Sequence, residues 1–563
     1  MFYVRAFLLA YKIKIYYNCQ SNTYKIKRTD AKAISNKKRI DFMGEKINTI
    51  CLVVFIFWVN NVVGQTSNSS FTNPLIWADV PDASMIRVGD TYYMSSTTMH
   101  MSPGVPIMKS DDLANWELIN YAYDTLVDND AMNMENGEQT YGRGSWASSL
   151  RFHEGTYFVS TFSATSGMTH IYTTKDIENG PWKEHAFSPS LHDNTLIFED
   201  EKIYLVWGAG ELRIVELKQD LSGVVEGTEQ MLIENATEPA GPNVMLPAEG
   251  SQMYKANGKY YLFNISWPRG GMRTVIIHRS DSLFGPYEGR VSLQDRGIAQ
   301  GGLIETLEGD WYAFLFRDYG SVGRIPYLSP VTWEDGWPVI GTDGVVPDTL
   351  WSLPASKSLI PRVVNSDDFT REPSDPELPL VWQWNHNPVD EYWSVSERLG
   401  YLRITNHRIG DSFIYTQNTI TQRAIGPKST GEISIDVSNM KNGDVAGLGA
   451  LQANYGFIGI RMENGEKLLI MAKGNPNNGE NIVEEVSLNQ DVVYLRAALD
   501  FEDRRDIGRF LYSLDSEEWK TLGSEINMSY TLPHFMGYRF ALFNYATKLT
   551  GGFVDFDYFR ITN

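Results

Sequence analysis

WADVPDASMIRVGDTYYMSST, running from Trp77 to Thr97, places the carboxylate of Asp82 ten residues ahead of the pair Tyr92 and Tyr93. The β-branched and aromatic residues around that pair read as strand. The layout then recurs. Aromatic pairs follow in GTYF (Tyr157, Phe158), GKYY (Tyr260, Tyr261) and GDWY (Trp311, Tyr312), and EKIYL supplies Tyr204 with Leu205 without the glycine. Successive repeats are 47 to 65 residues apart, enough for one small antiparallel sheet each. Five such repeats predict an all-β domain over residues 71–360, a five-bladed β-propeller around a central channel.

Counting back from each aromatic pair places one residue per repeat at an equivalent strand entrance. Eleven residues before the first aromatic stand Trp146, Asp193, Glu249 and Gln300, and ten before the first of repeat one stands Asp82. Equivalent positions near a propeller axis would bring two aspartates, a glutamate, a tryptophan and a glutamine into one funnel. An aspartate behind Pro81 is by default a turn residue that bonds nearby amides. Three carboxylates near one axis, however, repel one another and raise their proton affinities, an arrangement better explained by chemistry than by stability. Glycoside hydrolysis uses such a set: an acid for the leaving oxygen, a carboxylate across the sugar ring, and a third charge that keeps the acid protonated.

The remaining candidates are weaker. Trp77 and Trp146 are core aromatics by default, yet an indole on a funnel wall also stacks on a sugar face. Arg317, flanked by Phe314 and Phe316, would need polar partners if buried, such as sugar hydroxyls or a carboxylate. His192 has no second histidine at ligand spacing and fits the orienting of a carboxylate better than a metal. No Gly-rich phosphate loop and no Gly-x-Ser-x-Gly elbow is present.

The chain of 563 residues is too long for a single core. Beyond Pro347 to Pro361, which reads as a connection, a new pattern begins at Asp367-Asp368-Phe369 and ends in FVDFDYFRIT, residues 553–562. Its alternating strands predict a β-sandwich, of jelly-roll type, over residues 366–563. Residues 1–64 differ in kind, holding 11 Lys and Arg against 3 Asp and Glu, so the body carries a net charge of −28 out of the chain's −20. An acidic body of this size excludes a nucleic-acid partner. Met43 to Gln65 has a basic start, a short apolar run and a small-residue exit, so residues 43–64 predict a secretory signal behind an upstream extension, with an uncleaved anchor as the alternative. The apolar run is short for a membrane span, and the expectation is a secreted or periplasmic protein with none in its mature chain. Both cysteines, Cys19 and Cys51, lie in this leader, leaving the mature chain without thiol chemistry.

On these motifs the chain resembles glycoside hydrolase family 43. NPLIWADVPDASMIRVGDTYY (Asn73 to Tyr93) looks like the family's blade-one motif, LHDNTLIFEDEKIYLVWG (Leu191 to Gly208) like its blade-three motif, and LPAEGSQMYKANGKYYLF (Leu246 to Phe263) like the motif bearing its acid. The resemblance implies a five-bladed propeller with Asp82 as general base, Glu249 as general acid, and Asp193 tuning and orienting the acid. The tail, with WQWNHNP and YWSVSERLGYLRIT, resembles the concanavalin-like sandwich of the family's β-xylosidases. Two positions depart from the family pattern. Ala83 stands where proline usually follows the base, and Gln300 where many members carry a histidine near a bound calcium or water cluster. The expectation is therefore that no cofactor is required; a structural Ca2+ has no support in the sequence.

Together the residues and the resemblance predict a secreted, exo-acting, inverting glycosidase that releases terminal β-D-xylose from oligo- or polysaccharide, and the residue reading adds Trp77, Trp146, Gln300 and Arg317 as substrate contacts. α-L-Arabinofuranosidase activity is the alternative. A carbohydrate-binding propeller without catalysis and a protein scaffold are readings from other classes.

Overall fold

The computed structural model describes residues 70–358, 360–372 and 377–563. The predicted signal region lies outside the described residues.

Five four-stranded antiparallel sheets form the propeller. Blade one uses Ser84–Val88, Thr91–Ser95, Gly104–Ser110 and Glu117–Tyr123; blade five uses Ala299–Glu305, Trp311–Asp318, Arg324–Glu334 and Trp337–Ile340. The first strands of successive blades, which begin at Ser84, Ser149, Thr195, Val244 and Ala299, neighbour one another around the axis, and blade five returns to blade one. The residues ahead of each aromatic pair make the hairpin between a blade's first two strands. Glu154 and Gly155 (φ 47° and 75°) and Asn257 and Gly258 (φ 49° and 76°) take the paired left-handed conformation that two-residue hairpins require. The repeat without glycine does the same with Asp200 and Glu201. The aromatics then pack between blades, as where Tyr93 meets Tyr157 edge-on at 5.8 Å.

The channel is crossed by a polar plug. Arg151 donates to the carbonyls of Leu150, Leu196 and Met253 and to the side chains of Ser84, Thr195 and Gln252, so one guanidinium ties four blades together.

The sandwich consists of two larger sheets. One ends in a strand borrowed from the propeller: Met101–Ser102, from blade one, pairs with Gln383–Asn385. The segment expected to be a plain connection also does more than connect, because Thr349–Pro354 pairs antiparallel with Ser70–Thr72 and ties the start of the described chain to the end of the propeller. Ser69–Asn563 forms one compact unit.

The seam between the two domains buries three histidines. His100, from blade one, has its ring 4.8 Å from that of His386 and 5.1 Å from that of His534, and none is more than 1% exposed. Burial, reinforced by the neighbouring imidazoles and by Arg539 and Arg408, pushes all three well below the ordinary imidazole range, His534 to about 3. The folded protein thus binds fewer protons here than the unfolded chain once pH falls below about 6.5. Stability is full above that pH and is lost on acidification, by up to about 1.4 kcal/mol per pH unit for each histidine. Thermal unfolding between pH 7 and 5 is expected to show this decline, and His534→Phe, which preserves the stack on Tyr141, to flatten it.

Candidate active site

Three of the five residues that the repeats place at blade entrances share a backbone conformation that side chains seldom adopt. Asp82, Asp193 and Gln300 have φ of 51°, 47° and 48°, and Gly250, directly after Glu249, has φ 68°. A left-handed residue at a strand's mouth breaks the alternation there and turns its side chain off the sheet, a strain that persists only where surrounding contacts hold it. The convergence expected from the spacing is present for Asp193 and Glu249. Oxygen and nitrogen atoms of Asp193, Glu249 and His192 lie within 4.8 Å of one another, and the Asp82 charge reaches Asp193.

Each acid is fastened differently. Asp193, 5% exposed, accepts a 2.9 Å hydrogen bond from the Gly250 amide. Burial pushes its carboxyl up to about 7; the charges of Glu249 and Asp82 add to that, and His192 and the Gly250 amide oppose it. Glu249 is more open, with 21% of its side chain exposed, and its Oε2 lies 3.1 Å from Nε2 of His192. Burial disfavours the imidazolium of His192, yet Asp193 and Glu249 overcome that and raise it to about 9. His192 thus lies between the two acids, with Nε2 3.7 Å from Oδ2 of Asp193 and 3.1 Å from Oε2 of Glu249. Asp82, 5% exposed, has both oxygens 2.8 Å from Nη1 of Arg324, itself 3% exposed.

Arg324 is the arginine that meets the carboxylates. Arg317 does not: its Nε donates to the carbonyl of Arg296 at 3.0 Å, and its guanidinium lies over Tyr319. Strand alternation explains the difference, since Arg317 points to the opposite face of its strand from Phe316, the ring beneath Arg324. Trp77 also sits elsewhere than expected. It packs edge-on against Tyr319 at 5.0 Å and against the Cα of Gly426, in the seam with the sandwich, where any β-carbon on Gly426 would strike the indole. Trp146 remains at the site, stacked at 5.1 Å on Phe535 and tilted against Phe162, whose ring touches His192. The Gln300 side chain lies against Gly250, so its amide borders the acids.

Phe535 belongs to the sandwich, and sequence reasoning missed it because TLPHFMGY reads as an ordinary loop. Its ring packs 4.6 Å from the Arg324 guanidinium. Asp79 secures that loop. One of its oxygens accepts from the amide of Arg324 at 2.7 Å and the other from the amide of Gly537 at 3.0 Å, while Nε of Arg423 donates to its carbonyl. WADVPD therefore carries two acids of different purpose, and only Asp82 stood out in the repeat pattern. Asp79→Asn turns an acceptor into a donor that faces an amide N–H, and is expected to destabilise the protein by about 1–3 kcal/mol in denaturant unfolding.

Among the described residues, His192, Asp193 and Glu249 form the one side-chain group of metal-ligand type, but the histidine already serves Glu249. Gln300 offers an amide where a ligating imidazole was sought. Replacing His192 by Asn removes the positive charge beside Asp193; the limb of the pH–kcat/KM profile near pH 7 is expected to move upward, and an unmoved limb would show that Asp193 does not govern it.

Residues 71–338 match the model of glycosyl hydrolases family 43, and residues 366–562 match that of the beta xylosidase C-terminal concanavalin A-like domain. A beta-xylosidase of Formosa agariphila is 29% identical over 88% of this chain and 91% of its own. A non-reducing end alpha-L-arabinofuranosidase of Bacteroides ovatus is 28% identical over 75% of this chain and 82% of its own. Among solved structures, a bifunctional GH43-CE protein of Bacteroides eggerthii superposes with a TM-score of 0.86 at 60% identity over 88% of this chain, which spans 64% of that protein's length.

Proposed function

The chain belongs to glycosyl hydrolase family 43, and from that membership and the converging acids we propose that it releases terminal β-D-xylose from the non-reducing end of an oligosaccharide, with inversion. The observation that carries this reading is the contact of Asp193 from blade three with the backbone beside Glu249 of blade four, with Asp82 of blade one acting on Asp193 through its charge, Asp82 and Asp193 buried and Glu249 open to solvent.

In this reading Asp82 takes a proton from the attacking water. Arg324 occupies one direction at each of its oxygens, which leaves each a further lone pair that can accept from the water. Water attacks the anomeric carbon from the side opposite the departing group, and Glu249 gives its proton to the glycosidic oxygen. Asp193 holds the backbone beside Glu249 and, once ionised, its charge opposes loss of the acid's proton. His192 positions the Glu249 carboxyl. After release of both products, Asp82 returns its proton to solvent and Glu249 takes one up.

Xylose is the first choice because the C-terminal domain matches a model described for beta xylosidases. Arabinofuranose is the second, supported by the name of the Bacteroides ovatus relative. Retention of all three acids argues against a propeller that binds sugar without cleaving it. Among the described residues no helix is long and apolar enough to cross a membrane, and the signal-like residues 43–64 support export.

The test is hydrolysis of paired aryl β-D-xyloside and aryl α-L-arabinofuranoside, with the first-formed anomer read by NMR. α-Xylose from the β-xyloside is the expected product; β-xylose would overturn inversion. Asp82→Asn and Glu249→Gln are each expected to lower kcat by about a hundredfold or more, the scale of general acid–base catalysis. Near-normal turnover in either would remove that residue from its role.

A further inference from the structure

The repeat that sets one residue at each blade's entrance also fixes what stands at the strand's other end. Five residues on from Asp82, Trp146, Asp193, Glu249 and Gln300 come Arg87, Arg151, Phe198, Tyr254 and Glu305. At the rise of an extended strand they lie about 16 Å farther along. None of the five is aliphatic, and all line one open cavity of about 420 Å³ to which every blade contributes. Arg151 forms its floor, bonded to Ser84, Thr195 and Gln252, which lie on the same strands between the two ends. The cavity is therefore a place apart from the acids.

Its lining combines flat rings with polar groups that are not fully spent. Phe152 is 41% exposed, its ring tilted against Tyr157 at 4.6 Å. Next to it His153 stacks on Phe198 at 4.2 Å, and Trp311 supplies an indole from blade five. Arg87 gives Nε and Nη1 to the carbonyls of Glu305 and Gly89, which leaves Nη2. Glu305 accepts there through its carbonyl, and among the described residues its carboxylate meets no cation at ion-pair distance. A second cavity, of about 700 Å³, adjoins at His153 and Phe198 and runs outward between blades two and three, past Thr156, Lys202 and Gln219. Each is as large as a small-molecule site, about 300–1,000 Å³, and the pair makes an elongated hollow rather than a pit for one ion. An oligosaccharide matches it, because sugar rings lay C–H faces on aromatics while their hydroxyls donate and accept.

We propose that this hollow is a second saccharide site, which holds an oligosaccharide chain on Phe152, Trp311 and the His153–Phe198 stack, with Arg87 and Glu305 bonding its hydroxyls. It rests on the activity proposed above for the class of ligand alone and uses none of the catalytic acids. A chain held here stays beside the enzyme while free ends are cut at the opposite mouth, so the two sites raise the effective concentration of ends without any change in the chemistry.

The test is calorimetric titration of the full chain carrying Glu249→Gln, which removes turnover, with xylohexaose and with a linear arabino-oligosaccharide of the same length. Two molecules of the better-bound sugar per chain are expected, one at the acids and one here. Adding Phe152→Ala is expected to weaken the second about tenfold, and Glu305→Ala about as much. Phe152→Trp, which keeps a flat ring, is expected to retain it, and that rescue separates loss of the ring from loss of fold. In the otherwise native chain, Phe152→Ala and Glu305→Ala are expected to leave thermal unfolding and kcat/KM on the aryl pentoside unchanged. A single bound sugar that neither substitution affects overturns the inference and leaves the hydrolase reading standing. A chain that cleaves neither aryl pentoside, yet binds a sugar that Phe152→Ala releases and Phe152→Trp retains, upholds this site and sinks the hydrolase reading.

Discussion

The contact on which the site depends is the ion pair between Arg324 and Asp82, with neither residue more than 5% exposed. Removing two opposite charges from water is costly, and the cost is offset only where geometry is good and remaining polar groups are satisfied. That requirement reaches outward. Arg324 opens a strand of blade five, Asp82 precedes the first strand of blade one, and the two meet only if the ring of blades closes. The backbone of Arg324 is in turn held by Asp79, whose other oxygen binds the sandwich at Gly537. Propeller closure, domain docking and placement of the base are therefore one structural problem.

The sandwich is accordingly part of the site. It contributes Phe535 beneath Arg324 and takes in return a strand and a histidine from blade one. The tightness of this exchange shows in its glycines: Gly426 leaves room for the indole of Trp77, and a β-carbon on Gly537 would press on the carbonyl of Val322. This closely packed seam ties the loop from Ser529 to Gly537 to the propeller, through Asp79 at Gly537 and through Arg324 and Trp146 at Phe535.

Much of this was legible in the chain. Turn pairs, aromatic pairs and a residue at constant offset are local features, because a hairpin's register and its left-handed corner are decided within about a dozen residues. Asp82, Asp193 and Glu249 could be picked out for that reason, as could His192 beside its carboxylate. Arg317 stands out in the chain because Phe314 and Phe316 flank it, whereas Arg324 lies beyond the turn from Tyr319 to Gly323, and strand phase past a turn is not written locally.

By itself, then, the sequence determined the repeating unit, the number of blades and which acids stand at their mouths, since each depends on short-range periodicity. Only the tertiary structure decided which arginine grips the base and which aromatic covers it. Those contacts join residues more than two hundred positions apart, and they exist only after burial has forced each polar group to find a partner.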